Sequence, residues 1–482
     1  MRIRVVLHYL GLVLVAVGLL MIFPLAWSLY YREPDIIPFI ISIGITVGSG
    51  LILTFLTPGG EGKLSTREAL ALVAGAWIVA SAFSTLPYML AGTFHSYLNA
   101  YFEAMSGYTT TGASVLTNIE SQPHGILLWR NFTQWLGGMG IITLFVAVFP
   151  MLGVGPAHLV EAELPGETGR LTARIRDTAK ALWQIYLGIT ALEIILLFLA
   201  GMPLFDSFAN AFGTMATGGF SPKNLSIGAY DSVSIHIIII FFMALAGINF
   251  GIYYSLLWKR NLGRLFRDVE FRVYLGILIV ASLLISLDLF LNTGSSAGDA
   301  LRYGTFQAVS IQTTTGFAIT NFNVWPAFSR SALIILMVIG ASAGSTGGAL
   351  KVSRVVILVK YAYRELVHVF NPRAVLPVKL GERALPEWVL SRILGVAIIY
   401  VITFVVAFLL MSAVGLDFVS ALSSVAATLG NIGPGLGMVG PTLNYSLVPP
   451  LGKIVLIVCM LVGRLELWTV LVLISPAFWR WR

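Results

Sequence analysis

The chain has 482 residues, of which 57% are hydrophobic and only 11% charged, and its mean hydropathy is +0.88. That composition excludes a soluble globule and indicates a polytopic membrane protein. The formal net charge of +8 does not indicate nucleic acid, because the Lys and Arg residues fall in loops that topology gathers on one side rather than on one solvated face.

A membrane helix needs ~20 mostly apolar residues to cross ~30 Å of hydrocarbon. On that measure the predicted spans run over 5–29, 36–57, 67–91, 126–150, 180–203, 235–258, 271–292, 331–362 with an interruption, 389–413 and 449–475. The first apolar run is long enough to span and lacks a small-residue cleavage site, so it reads as a helix and not as a signal peptide. Most of the 30 Lys and Arg fall together if the N-terminus is inside: Arg2 and Arg4, Lys63 and Arg67, the group from Arg170 to Lys180, the group from Lys259 to Arg272, the run from Lys351 to Arg392, and Arg480 and Arg482. Arg32, Lys223, Arg302, Arg330 and Lys453 fall on the other side, and Arg130 and Arg464 within spans. The positive-inside rule therefore predicts both termini in the cytoplasm.

Between the spans lie four short glycine-centred segments at similar wide intervals: TTTGAS around Gly112, ATGGFS around Gly218, TTTGFA around Gly316 and GNIGPG around Gly433. Each follows an amphipathic run too short to cross: YLNAYFEAMSGY, LFDSFANAFGTM, GDALRYGTFQAVSIQ and LDFVSALSSVAA. Re-entrant backbone is tolerated at membrane depth only inside protein or along a watery cavity, so four such loops point to one lined pore on the outer side. The predicted fold is an all-α polytopic membrane protein in which four pseudo-symmetric units of span, half-helix, filter and span surround one pore. The predicted boundaries are an N-terminal helix pair over 1–60 and units over 61–175, 176–265, 266–375 and 376–482. Asp206, Asp299 and Asp417, near the half-helix starts, read as caps that suit the helix dipole.

A dehydrated cation needs oxygens, and inward-aimed backbone carbonyls supply them if the chain adopts angles that glycine allows at least cost. The candidate filter is Thr110, Thr111 and Gly112; Ala216, Thr217 and Gly218; Thr314, Thr315 and Gly316; and Asn431, Ile432 and Gly433. Asn431, Ile432 and Pro434 set the fourth segment apart, and symmetry is expected to break there.

With these four segments, WRNFTQWLGGMG at 129–140, GASAGSTGGALK at 340–351 and GRLELWTVLVL at 463–473, the whole chain resembles the TrkH and KtrB branch of the Trk/Ktr/HKT potassium transporters. The resemblance implies potassium uptake across a bacterial inner membrane through a gated, K+-selective pore whose first filter glycines map to Gly112, Gly218, Gly316 and Gly433. It also implies a homodimer in the lipid bilayer docked on a cytoplasmic TrkA-type nucleotide-binding ring, with K+ as transported ion, no other cofactor and no nucleic acid partner. In plant relatives that favour sodium the first filter glycine is serine, so Gly112 implies preference for potassium. The stretch Gly344, Ser345, Thr346, Gly347 and Gly348 maps to a loop that obstructs the pore, and Arg464 to an arginine at the constriction. From the residues alone, Gly340, Gly344 and Gly348 equally suit a small-residue packing face on an intact helix. Lys351 reads either as part of the gate or as a cytoplasmic anchor, and Arg130 either as a support for the first loop or as an interfacial cation.

Two enzyme-like patterns are decoys. Gly340, Ser342 and Gly344 match GxSxG without a preceding strand, and Gly435, Gly437 and Gly440 match GxGxxG without a βαβ unit. The chain is not expected to be an enzyme. The rival readings are a proton- or sodium-coupled symporter and a KdpA-like pump subunit. A coupled carrier calls for an acid at the midplane, and no acid in the predicted spans stands out.

Overall fold

The computed structural model describes residues 1–58, 64–147, 171–259, 263, 267–381, 383–476 and 478. The expected cytoplasmic charges Lys63, Arg170, Arg260, Arg264, Arg480 and Arg482 lie outside them, as do the boundary at 60 and the end of the 126–150 span. The fold is helical apart from a two-stranded antiparallel hairpin of β1 (Lys379–Leu380) and β2 (Arg383–Ala384). In order, the helices are α1 (Ile3–Leu20), α2 (Ile22–Tyr31), α3 (Ile36–Leu56), α4 (Thr66–Leu90), α5 (Tyr97–Tyr108), α6 (His124–Ala147), α7 (Leu171–Leu199), α8 (Leu204–Met215), α9 (Val233–Ala246) and α10 (Phe250–Lys259). They continue with α11 (Val269–Thr293), α12 (Ala297–Gln312), α13 (Ala327–Ile339), α14 (Val352–Phe370), α15 (Glu387–Ala413), α16 (Phe418–Leu429), α17 (Pro450–Arg464) and α18 (Leu467–Ile474).

Six helical stretches among the described residues are long and apolar enough to cross a membrane: α1 with α2, α3, α4, the described part of α7 from Asp177, α11 and α15. Their starts follow ordinary capping chemistry. Ser65 and Glu68 form a reciprocal capping box at α4, and Asp268 accepts the Phe271 N–H at α11, so donors that the first turn leaves free are satisfied. Glu68 also anchors the N-terminus through a salt bridge of 3.0 Å to Arg2.

The four short helices α5, α8, α12 and α16 coincide closely with the amphipathic runs predicted from sequence. Three have 12 residues and α12 has 16. At ~1.5 Å per residue, a 12-residue helix reaches roughly 18 Å, well short of the hydrocarbon thickness. Each is enclosed by other helices: α5 by α4, α6 and α17; α8 by α6, α7 and α9; α12 by α9, α11 and α13; α16 by α13, α15 and α17. This burial supplies the protein surroundings that non-spanning backbone requires.

The three acids near the half-helix starts have separate roles. Asp417 is a true N-cap, accepting the Val419 and Ser420 N–H groups, and hydrogen bonds from Ser420 hold its carboxyl below the ordinary range. At α12 the cap is Ser296, and Asp299 pairs with Arg302 instead. Asp206 is not a cap; it accepts the Tyr230 hydroxyl at 2.8 Å.

Two spans predicted as continuous are broken. The 235–258 segment bends by 92° between α9 and α10, and the 449–475 segment breaks between α17 and α18, where Glu466 has φ 62°. The interruption expected in 331–362 is present, and the alternative of an intact helix carrying a glycine packing face is excluded. Backbone from Gly340 to Lys351 is non-helical, with Gly340, Gly344, Ala349 and Lys351 all at positive φ. The break between α9 and α10 and the 340–351 interruption satisfy one another: Ser342 N–H donates to Gly247 O, and Phe250 N–H to Gly344 O. Polar backbone released by one broken helix is thus paired by the other.

Candidate functional site

Each half-helix ends in the same backbone turn. The residue second after the helix is left-handed in every case, Thr110, Thr217, Thr314 and Asn431, with φ between 50° and 61°. The next N–H reaches back to the last turn: Thr111 to Ser106 O, Gly218 to Gly213 O, Thr315 to Ser310 O and Ile432 to Ala427 O. A positive-φ glycine follows, at Gly112, Gly219, Gly316 and Gly433.

This register corrects the sequence reading of the second segment. Gly219, not Gly218, is equivalent to Gly112, Gly316 and Gly433, and the matching triplet is Thr217, Gly218 and Gly219 rather than Ala216, Thr217 and Gly218. Ala216 falls level with Thr109, Thr313 and Gly430. Two adjacent glycines in ATGGFS made the choice ambiguous, and only backbone dihedrals separate them.

The four glycines meet in cyclic order. A Cβ on Gly112 would collide with Gly218 O, one on Gly219 with Thr315 O, and one on Gly316 with Ile432 O; one on Gly433 would stand 2.7 Å from Thr111 O. Each glycine therefore faces a carbonyl of the next segment, and the fourth closes on the first. Every half-helix C-terminus, with its partly negative carbonyl end, adjoins this ring.

Arg130, for which loop support is one of two readings from sequence, and three polar side chains that the sequence reading missed, Glu103, Asn131 and Gln134, hold the loops behind the ring. Glu103 of α5 accepts from Ser114 Oγ at 2.8 Å and from Val115 N at 2.9 Å. Arg130 of α6 pairs with Glu103 at 2.5 Å, donates to Ser221 O at 3.1 Å, and lies over the Phe220 ring. It is 2% exposed and ties the first loop to the second, so the interfacial placement is excluded. One and four residues further along α6, Asn131 donates to Phe220 O, while Gln134 donates to Gly218 O and accepts from Phe220 N. The signal was present in WRNFTQW as four polar residues in an otherwise apolar run, but the loop partners of Arg130, Asn131 and Gln134 lie far along the chain.

The fourth segment departs as expected. It keeps the backbone register, but Gly433 opens to φ 104° against 76–83° for the other three. Asn431 Nδ2 donates to Thr111 Oγ1 at 3.0 Å and to Met460 O at 2.9 Å, and the Tyr445 hydroxyl donates to Gly433 O at 2.7 Å.

Against the third and fourth segments lies the loop from Gly340 to Lys351. Gly348 N–H donates to Thr314 Oγ1 at 2.9 Å, and a Cβ on Gly348 would collide with Gly430 O. Arg464, 3% exposed at the end of α17, donates to Thr346 O at 2.6 Å and to Gly137 O at 3.2 Å. Arg464 and Glu466 do not pair with each other. Glu466 accepts from Arg354 Nη2 at 2.5 Å and from Lys351 Nζ at 3.5 Å. Lys351 is 5% exposed, so it is not a solvated cytoplasmic anchor. Lys453 is equally buried, donating to Asn99 Oδ1 and Ser446 O. The GxSxG pattern lies in this loop after a helix and not a strand, and GxGxxG forms a short 3-10 turn, so neither has the context its chemistry needs.

Residues 39–480 match the family described as TrkH, cation transport protein. The chain belongs to the TrkH family. Among TrkH relatives, the Trk system potassium uptake protein TrkH of Salmonella typhimurium strain LT2 is 40% identical over 484 residues, covering 100% of both chains. The Trk system potassium uptake protein TrkG of Escherichia coli K12 is 31% identical, covering 99% of both. The crystal structure of the potassium transporter TrkH from Vibrio parahaemolyticus matches at a TM-score of 0.92 and 37% identity, over 100% of both chains. TrkH membership makes this chain a multi-span, all-helical cation transport protein and gives the enzyme-like motifs no part in it.

Proposed function

We propose that this chain carries potassium inward across a bacterial inner membrane through a selective, gated pore. The observation that carries the reading is the cyclic contact of Gly112, Gly219, Gly316 and Gly433 with carbonyls of neighbouring segments. Four loops delivered by one chain would supply about fourfold oxygen coordination per layer, and the half-helix ends would favour a cation there. The filter comprises Thr110, Thr111, Gly112, Thr217, Gly218, Gly219, Thr314, Thr315, Gly316, Asn431, Ile432 and Gly433. It rests on four span, half-helix, filter and span units over 61–175, 176–265, 266–375 and 376–482, behind an N-terminal pair over 1–60. Both termini lie in the cytoplasm. K+ is the transported ion, with Rb+ as a close substitute. The working assembly is a homodimer on a TrkA-type nucleotide-binding ring. Support for these assignments comes from the charge distribution and from relatives named as Trk system potassium uptake proteins.

Residues 344–348 act as the gate and Arg464 holds it shut. The guanidinium donates to Thr346 O in the loop and to Gly137 O of α6, and its fixed positive charge repels an entering cation. Arg464→Ala is expected to raise basal potassium flux and weaken its dependence on the ring. Unchanged flux in liposomes, with and without the ring, would refute this role.

Potassium, rubidium and sodium flux into liposomes, first with the chain alone and then with the ring, tests the whole reading. A coupled symporter is the second reading, and one observation favours it: an acid, Glu193, does lie buried in a spanning helix, contrary to the expectation from sequence.

A further inference from the structure

Glu193 lies in α7 within an apolar run that reads LEIILL, and it is 0% exposed. Both carboxyl oxygens are buried without a hydrogen-bond partner. It shares the inward face of α7 with Tyr186, Thr190 and Leu197, and Thr214 of the half-helix α8 stands beside the carboxyl. Thr214 lies on the last turn of α8, three residues before the left-handed Thr217.

No described cation balances this acid. On its own helix the neighbouring titratable group is Tyr186, whose hydroxyl donates to Trp135 O. From α6, Arg130 is taken by Glu103; from α8, Asp206 accepts Tyr230; from α9, His236 packs on Phe306; from α10, the Tyr253 hydroxyl donates to Leu245 O. An ionised carboxylate in a dry interior without a counter-charge is far costlier than a neutral acid, which can also donate a hydrogen bond. The position is behind α8 and not on the glycine ring, so a proton held here need not travel with the ion.

We propose that Glu193 is a proton-binding site behind the second filter segment, whose neutral carboxyl seats the C-terminal turn of α8 and whose ionisation unseats it. Glu193 is a positioning residue. The proposal rests on the pore reading for its flux assay only. Loss of the proton at alkaline pH places an uncompensated negative charge against Thr214, displaces the turn that leads into Thr217, Gly218 and Gly219, and lowers flux. Potassium entry itself moves no proton through Glu193.

The test uses the full-length protein in liposomes, with potassium flux followed from neutral to alkaline pH in wild type and Glu193→Gln. Wild type should lose flux at alkaline pH, and Glu193→Gln should keep neutral-pH flux and selectivity while abolishing that loss. Infrared spectroscopy in H2O and D2O should show a protonated-carboxyl C=O band in wild type at neutral pH that is missing in Glu193→Gln. An identical alkaline loss in both proteins, a neutral-pH spectrum lacking such a band, or proton uptake accompanying potassium entry that Glu193→Gln eliminates would each overturn the proposal. Should Glu193→Gln not fold, Thr214→Val, which removes the adjacent hydroxyl, should shift the midpoint of the alkaline loss, and an unshifted midpoint overturns it. A wild type that passes no potassium at any pH would defeat the pore reading, while the infrared band would still decide whether Glu193 holds its proton.

Discussion

Serine in place of Gly219 or Gly316 is expected to abolish the discrimination of potassium from sodium. Both glycines sit at positive φ, 76° and 83°, where an L side chain is strained by ~1–3 kcal/mol. Their missing Cβ positions are occupied by backbone, Thr315 O and Ile432 O, which cannot swing aside as the end of a side chain can. The substitution must push a ring carbonyl out of place, and each ~1.4 kcal/mol lost from the difference between the two ions is about tenfold in selectivity. Loss of about tenfold or more is therefore expected in the potassium-to-sodium flux ratio, with Gly112→Ser behaving alike. Gly218→Ser should be milder, because Gly218 is outside the positive-φ set and its Cβ would meet the Gln134 side chain. A Gly218→Ser protein that is as unselective as Gly219→Ser would return the register to the one read from sequence.

Arg130→Leu should cost the folded protein more than any other single change at the buried polar groups behind the ring. It would leave Glu103, 0% exposed, as an unpaired carboxylate in the interior, a loss of ~3–5 kcal/mol by comparison with other broken buried pairs. The same change removes the donor to Ser221 O and the cation over Phe220, so the second loop loosens with the first. Thermal unfolding in detergent, read by size-exclusion chromatography after heating, would register this as a large fall in the surviving monodisperse fraction. The double variant Glu103→Leu with Arg130→Leu should recover part of the loss, since it buries no unpaired charge. If the double variant is as unstable as the sum of the single ones, the ion pair is not what holds the loops.

The half-helices were legible because each combines a short amphipathic run with a glycine turn, and α5 and α8 start and end where that pattern does. The interruption in 331–362 follows from glycine content over many residues. What escaped was local. Gly247 and Asn249 break a helix inside a run whose average hydropathy still reads as one span, and Leu465 and Glu466 do the same in the last one. A window average cannot register a single left-handed residue. Nor can it register a partner about a hundred residues away, which is why Lys351 looked solvated although Glu466 receives it in the interior. Glu193 was passed over for a related reason: one acid in LEIILL barely lowers the hydropathy, and its burial depends on which face of α7 meets α8.

The four glycine segments began as a spacing and end as a ring whose members are unequal. The first three share φ within a few degrees, while the fourth opens, ties its Asn431 to Thr111 and Met460, and gives a carbonyl to Tyr445. If that ring is a filter, selectivity belongs to this chain alone. The direct measurement is ion flux into liposomes holding only the purified chain, comparing potassium, rubidium and sodium at equal driving force. Entry of potassium and rubidium with sodium largely excluded, and collapse of that preference in Gly112→Ser, is the predicted result. Equal sodium and potassium flux in wild type would contradict it.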